Sequence, residues 1–372
     1  MMLHARPYIA IVAALALLFL LWRFPQFNAL RETGHVDVAL PFVPGTPKSF
    51  EPYTKTDVVA RTQSESVDWL EEAVDLGVSK AVYVVDNPTL SPDHQVPANK
   101  GHEAMVYLTY IIDHYDDLAD ISIFVHAHQI AWHNNDLLDS DMVKTIRHLS
   151  EAHVTRVGYF NLRCHHEPGC PDWLHLDRPK DQLDTFRKME EHAFSLSVWA
   201  QLHPHTQPPR AISQPCCAQF AVSRDRIRAI PRAEYVRYRD WLLTTELEDK
   251  LSGRVMEYSW QFIFAGVPEL CPEMHVCYCD GYGVCFGGAG ELQHWLEIRE
   301  KMRALDADAN ELLPDSGQAS QETERKVAQI RSQARELDAQ LLQLKLDAFR
   351  RGQDAHLRAL EVGRPWDQGD GF

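Results

Sequence analysis

ISIFVHAHQIAWH, residues 121–133, decides how this chain folds. Its first five residues are almost wholly apolar, too few for a helix and without the alternation of a half-solvated strand, so they read as a strand buried on both faces. The run ends at His126, and His128 follows two residues later, with Trp132 and His133 just beyond. Residues two apart at a strand end share one side, so both imidazoles can turn toward one ligand.

Upstream, the same kind of unit precedes it. VVAR is a short β-branched run, SVDWLEEAVDLG has helical spacing ending at a glycine, and AVYVVD is an apolar run closing on Asp86. Asn99-Lys100-Gly101 then opens a helical stretch, HEAMVYLTYIIDHYDDL, that leads into the strand before His126. Strand, helix, strand, helix, strand predicts an α/β, Rossmann-like fold with parallel strands, helices on both faces and right-handed crossovers. Ligands of such sheets bind beyond the carboxyl ends of the strands, where His126 and His128 stand.

A chain of 372 residues with 45% hydrophobic content can bury one large core or two modest ones. Its formal charge of −16, from 37 basic and 53 acidic residues, comes without a basic block, which argues against nucleic acid as a partner. Residues 8–22, YIAIVAALALLFLLW, are uncharged, and the following RFPQFNALRET offers no small-x-small cleavage site. The run is expected to be an uncleaved signal anchor, making residues 1–23 a cytoplasmic tail and membrane span of a single-pass type II protein of the Golgi or endoplasmic reticulum. A cleaved signal peptide and a buried core helix are the other readings. Residues 24–55 are rich in Pro, Gly and polar residues and read as a stem, 56–290 as the α/β body, and 291–372 as a helical C-terminal extension. Within that extension Val327, Ile330, Ala334, Leu337, Leu341, Leu344 and Ala348 recur three and four apart, a seam for self-association over 327–348 or for packing back on the body.

All eight cysteines lie beyond residue 160, and their even number points to disulfides in an oxidising lumen. Cys277-x-Cys279 and Cys216-Cys217 do not have zinc-site spacing, and the connectivity stays open. Asn87-Pro88-Thr89 has proline in the middle of its sequon, so glycosylation supplies no evidence about the compartment.

VVARTQSE, YVVDNP, NKGHEA and ADISIFVHAH follow an order that resembles the nucleotide-sugar-binding half of GT-A-type glycosyltransferases. The resemblance implies a GT-A-like mixed sheet flanked by helices, and donor contacts from Arg61, Asp86, Asn99, Lys100 and Gly101. It also implies a divalent metal, Mn first, at His126 and His128, which stand where those enzymes carry Asp-x-Asp. Imidazole suits Mn, Zn, Fe or Ni better than Mg or Ca, and His133, Asp136 or His275 would supply a third ligand. CAQFAVSRDRI and RVMEYSWQFIF resemble acceptor-side blocks, so Glu257 would deprotonate the acceptor hydroxyl, with Asp240 and Asp280 as alternatives. Trp132, His133 and Arg224 would lie on the acceptor side, and Arg163, Arg224 and Arg226 would neutralise a diphosphate.

Each of these residues also has a plainer reading. The histidines can bond loop carbonyls, Asn99-Lys100-Gly101 can simply cap a helix, Asp86 can cap its turn, and Glu257 can pair with Arg254 three residues away. GYGVCFGG, residues 281–288, lacks a preceding strand and is no dinucleotide loop, and His203-Pro-His205 reads as a solvated loop. Across residues 57–290 the blocks VDWL, NKGHEAMVYLTYIIDHYD, HAHQIAWH, GYFNLRC, CCAQFAVSR and CYCDGYGVCF resemble a fungal family catalogued only as domain of unknown function 3431. That family implies no activity. The expected function is therefore metal-assisted transfer of a sugar from a nucleotide sugar to a hydroxyl acceptor. A His-site hydrolase or oxygenase, and a non-catalytic disulfide-stapled lumenal binding protein, remain as alternatives.

Overall fold

The computed structural model describes residues 43–49, 51–178, 193–313, 319–368 and 371–372. The expected anchor at residues 8–22 and most of the stem lie outside the described residues. Among the described residues, no helix is long and apolar enough to cross a membrane.

The expected strand-helix alternation is present as β1 (Lys55–Arg61), α1 (Leu70–Val74), β2 (Val78–Val84), α2 (Glu103–Asp113) and β3 (Ile121–His126). β1 pairs in parallel with both β2 and β3. Next come α3 (Met142–His148), α4 (Glu151–Val157), β4 (Tyr159–Asn161), β5 (Leu174–His175), α5 (Leu196–Leu202), β6 (Ala211–Ile212) and β7 (Phe220–Ser223). The main sheet has the order β2-β1-β3-β7-β4, while β5 and β6 form a small antiparallel ribbon of their own. β7 runs antiparallel to both of its neighbours, so the sheet is mixed. It is entered from the β5-β6 ribbon and its loop rather than through a crossover helix, which frees it from the parallel sense. At its end the Ser223 hydroxyl accepts the Arg226 N–H and starts α6 (Arg224–Arg228).

The central strands are buried on both faces, as their continuous apolar runs require. One face packs Tyr107, Phe124, Phe220, Trp260 and Phe264 beneath α2. The other packs Val59, Ile123, Val125, Ile146, Phe160 and Tyr282. A single carboxylate ties the amino ends of β1 and β3 to the carboxyl end of β7. Asp120 Oδ2 accepts from the Thr54 N–H at 2.8 Å, the Thr54 hydroxyl at 2.9 Å and the Lys48 ammonium at 2.7 Å, and Arg224 reaches Oδ1 at 2.9 Å. Burial works against the charged form, but these donors outweigh it and hold the Asp120 carboxyl at about 2.

The remaining elements are helical: α7 (Arg232–Thr244), α8 (Asp249–Glu257), α9 (Trp260–Ala265), α10 (Met274–Tyr282), α11 (Ala289–Glu311), α12 (Gln321–Gly352) and α13 (Ala355–Glu361). The described residues form one compact unit, so the helical extension belongs to the same body as the sheet. The expected seam on α12 packs back on its own chain. Val327, Ala334, Leu341 and Ala348 are buried, Leu341 and Ala348 within the second core, and Trp295 on α11 donates its indole N–H to the Leu341 carbonyl at 3.1 Å. Where α12 ends, Gly352 lies so close to the Gly283 carbonyl that no Cβ fits.

One sequence expectation is corrected here. His203 is not solvated: it is buried against Trp199 and Phe262, ring centroids 4.5 and 4.6 Å away, and burial pulls its pKa down to about 3. Of the two histidines of this proline-rich loop, His205 alone is exposed.

All eight cysteines are paired, as Cys164–Cys277, Cys170–Cys271, Cys216–Cys217 and Cys279–Cys285. The first two pairs are separated by 113 and 101 residues and staple the loop after β4 to α10 and its approach. Closing loops of roughly 100 residues restricts the unfolded chain by about 4 to 5 kcal/mol, whereas joining neighbours restricts it little. Cys164→Ser with Cys277→Ser is therefore expected to cost several kcal/mol in denaturant unfolding, and Cys216→Ser with Cys217→Ser far less.

A second stability prediction comes from β1. Asp57 is 1% exposed, neither carboxylate oxygen has a hydrogen-bond partner, and burial pushes its pKa up to about 8 despite nearby Lys55. Because the folded pKa lies above the unfolded one, the stability present below pH 4 is lost progressively as pH rises toward 8. Asp57→Asn is expected to flatten this loss and to be more stable than the parent at pH 8 by on the order of a few kcal/mol, measured by thermal unfolding across that range.

Candidate active-site cleft

The register Ala60 opposite His126 brings the carboxyl ends of β1 and β3 side by side. Two cavities, about 410 and 650 Å³, open above them and share His102, Glu103, His126 and Asp249. Arg61, Glu65, Asn99 and His128 also line the first, and Trp132, His133, Cys217, Lys250, Arg254 and Glu257 the second. The walls come from the loops after β1 and β3, the start of α2, and α8.

The loop after β3 is held by short polar contacts. Trp69 donates its indole N–H to the Ala127 carbonyl at 2.7 Å, between the two histidines. Asn134 donates to the Gln129 and Ser140 carbonyls at 2.9 and 3.0 Å, closing the turn. Gln219, just before β7, accepts the His126 backbone N–H at 3.1 Å and donates to His133 Nδ1 at 3.1 Å and Asn134 Oδ1 at 2.9 Å. The His126 and His133 rings meet edge-on at 4.9 Å. Burial, with further repulsion from His133 and His128, lowers the His126 pKa to about 3, and burial with Arg163 lowers that of His133 to about 4. Both imidazoles are neutral at physiological pH.

His126 Nε2 is buried and has no hydrogen-bond partner. His128 Nε2 lies 3.4 Å from Glu65 Oε1 in the same cavity. Two imidazoles and a carboxylate are a donor set suited to Mn, Zn or Fe. Their ligand atoms are not gathered into a ready-made trio: among the described residues those within 4.8 Å are Cys216, Cys217 and Glu257, and Cys279, Cys285 and Glu361, whose cysteines are already in disulfides. Of the expected third ligands, His133 adjoins His126, Asp136 is held by Arg299 and Arg303, and His275 lines neither cavity.

Carboxylates crowd the junction. Glu257 Oε1 accepts the Cys217 N–H at 2.6 Å and Oε2 accepts from Arg254 at 2.9 Å, so the ion pair open from the sequence is formed. Cys217 and Ala218 have φ of 86° and 47°, turning the chain so that this N–H faces the carboxylate. Glu103, first residue of α2, is pushed up to about 8 by burial and by neighbouring Glu257, against the pull of its own backbone N–H and Arg254. It keeps its proton at neutral pH. His102 has φ 51° and ψ −136°, a conformation that side-chain-bearing residues rarely adopt, and its Nε2 lies 3.4 Å from Asp249 Oδ2.

Several expected donor contacts are engaged elsewhere. Gly101 N–H donates to Asp249 Oδ1 at 2.5 Å, so the helix start holds a carboxylate of its own chain, and Lys100 Nζ donates to the Thr245 carbonyl at 2.5 Å. Asp86 accepts the Gln63 N–H at 2.8 Å and fixes a turn outside both cavities. Arg61 remains on the cavity wall while donating to the Glu65 carbonyl at 2.6 Å. Trp132 is 67% exposed at the rim, with the Arg163 guanidinium 5.3 Å from its ring. Arg224 lies at the opposite end of the sheet, bound to Asp120, and Arg226 follows it in α6, so neither reaches the cleft. Asp240 lines neither cavity, and Asp280 is buried among His153 and Arg156. The sequence reading passed over Glu65, His102, Glu103 and Asp249, although Gly-His-Glu beside the singled-out Asn99 was the available signal.

Gly253 lets α8 approach His102: a Cβ there would come within 2.7 Å of the His102 ring and 3.2 Å of its Cβ. A glycine-to-alanine change inside a helix ordinarily stabilises by up to about 1 kcal/mol. Gly253→Ala is expected to have the opposite sign, a loss of about 1 to 3 kcal/mol in thermal unfolding, because backbone-proximal atoms must move.

No curated protein and no solved structure matches the chain. A family model described as protein of unknown function does match, over residues 58–280, which includes β1 from Val58 on, β2, β3, the loop of the two histidines, β7 and α8. That match spans more than half of the sequence, and the chain belongs to this family, DUF3431.

Proposed function

We propose that this protein transfers a sugar from a nucleotide-sugar donor to a hydroxyl acceptor with the help of a divalent metal, on a GT-A-like version of its mixed sheet. The observation that carries this reading is the pair of cavities that meet above the carboxyl ends of β1 and β3, a layout with room for two substrates around one reacting centre. The donor lies in the first cavity, with Arg61 and Asn99 toward its diphosphate and ribose. His126 and His128, with Glu65, would hold the metal, Mn in the first instance, which neutralises charge on the departing diphosphate when bound. The acceptor lies in the second cavity beside Trp132 and His133. Glu257, fixed by Arg254 and the Cys217 N–H, lies on the wall of that cavity. The four disulfides favour a secretory lumen, with residues 8–22 as a type II anchor in the Golgi or endoplasmic reticulum.

The adjoining neutral imidazoles of His126 and His133 favour a second reading, a hydrolase with a tightly held zinc or iron. A thermal-shift panel of UDP, GDP and CMP, each with and without Mn²⁺, separates the two. The transferase reading expects one nucleotide with Mn²⁺ to raise the melting temperature by several degrees. His126→Ala with His128→Ala should abolish that shift and lower nucleotide-sugar turnover at least about 100-fold, while the ligand-free melt stays within a few degrees. Undiminished turnover rejects the reading, and stoichiometric zinc or iron surviving dialysis replaces it with the hydrolase.

A further inference from the structure

His102 stands at the one place the two cavities share, and four observations converge on it. Its backbone occupies φ 51°, ψ −136°, a region suited to glycine, yet it carries a half-exposed imidazole. The ring's Nε2 faces Asp249 Oδ2 at 3.4 Å. Asp249 is itself anchored, its other oxygen accepting the Gly101 N–H at 2.5 Å. α8 carries a glycine, Gly253, where any side chain would strike the ring. A histidine retained in a strained backbone, given clearance by a glycine and oriented by a fixed carboxylate is the arrangement of a base and its orienting partner.

We infer that His102, oriented by Asp249, is the base that takes the proton from the acceptor hydroxyl; this rests on the transferase reading above. The other carboxylates of the junction are less suited. Glu103 holds its own proton at neutral pH, and both oxygens of Glu257 are committed to Arg254 and the Cys217 N–H. With Nε2 turned toward Asp249, Nδ1 is the ring nitrogen left to the acceptor. The acceptor oxygen forms a bond to the anomeric carbon of the donor sugar. The bond from that carbon to the diphosphate oxygen breaks, its electron pair leaves with the diphosphate, and the hydroxyl proton passes to His102 Nδ1. The Asp249 charge steadies the resulting imidazolium.

The test uses the full chain with Mn²⁺ and measures release of UDP or GDP from UDP-glucose, UDP-galactose, UDP-N-acetylglucosamine and GDP-mannose, with water as acceptor. His102→Gln is expected to lower kcat by roughly 10² to 10⁴ with KM within about threefold, and Asp249→Asn by about tenfold or more. His102→Gly, which relieves the backbone, is expected to raise the melting temperature by a few degrees while losing the same activity. If the wild-type protein releases diphosphate and His102→Gln is as fast, the His102 assignment falls and the transferase reading stands. A melting temperature lowered by His102→Gly marks the histidine as structural and also overturns the assignment. If the wild-type protein releases nothing from any of the four donors, the transferase reading falls first and takes this inference with it.

Discussion

Asp120 sits where β1, β3 and β7 begin or end together, and its carboxylate is the knot from which the rest of the sheet is measured. It binds the residue before β1 through Thr54, the N-terminal approach through Lys48, and the end of β7 through Arg224. The backbone repeats the connection, since Ile121 N–H donates to the Thr54 carbonyl and Arg224 N–H to the Asp120 carbonyl. A slip of one residue would exchange the two faces of a strand, so fixing this end fixes which side chains arrive at the other. Some five residues along β3, the result is His126 beside Ala60, with Arg61 and the loop after it facing the histidine loop. The cleft is thus set from the far edge of the sheet. The low pKa of Asp120 keeps the knot charged well into the acid range.

β1, β3 and α2 were legible because they are buried centrally, and such segments must be written as unbroken apolar runs, while the edge strand β2 exposes Ser79 and Lys80 and shows that run only in its second half. The direction of β7 depends on where the preceding ribbon delivers the chain, which no local pattern encodes. The pairing of eight cysteines is likewise a property of distance in the fold, with partners 113 and 101 residues apart in two cases.

The candidate site was legible in part for a similar reason. His126, His128, Arg61, Asn99, Trp132, His133 and Glu257 were singled out from types and spacing, and all line the joined cavities. Lys100, Gly101, Asp86 and Arg224 were singled out on the same grounds and are bound to partners outside that role. What separates the groups is long-range: Asp249 reaches Gly101 across 148 residues. His102 is not legible in the sequence because its distinguishing property is a dihedral angle, nor is Glu103, because its raised pKa comes first from burial in the fold and then from neighbours on α8.

The join between α10 and the last helices bears on how this protein can be cut. Gly352 rests on the Gly283 carbonyl, Cys279 is bonded to Cys285, and buried Arg358 donates to the Asp280 carbonyl at 2.8 Å. A fragment ending where the family match ends, at residue 280, keeps Cys279 without its partner and, lacking Tyr282, Leu292 and Trp295, opens the second core around Tyr278 to water. The sequence shared by the family is therefore shorter than the piece of chain that can stand alone, and expression fragments or domain exchanges need to carry α13 along with the sheet.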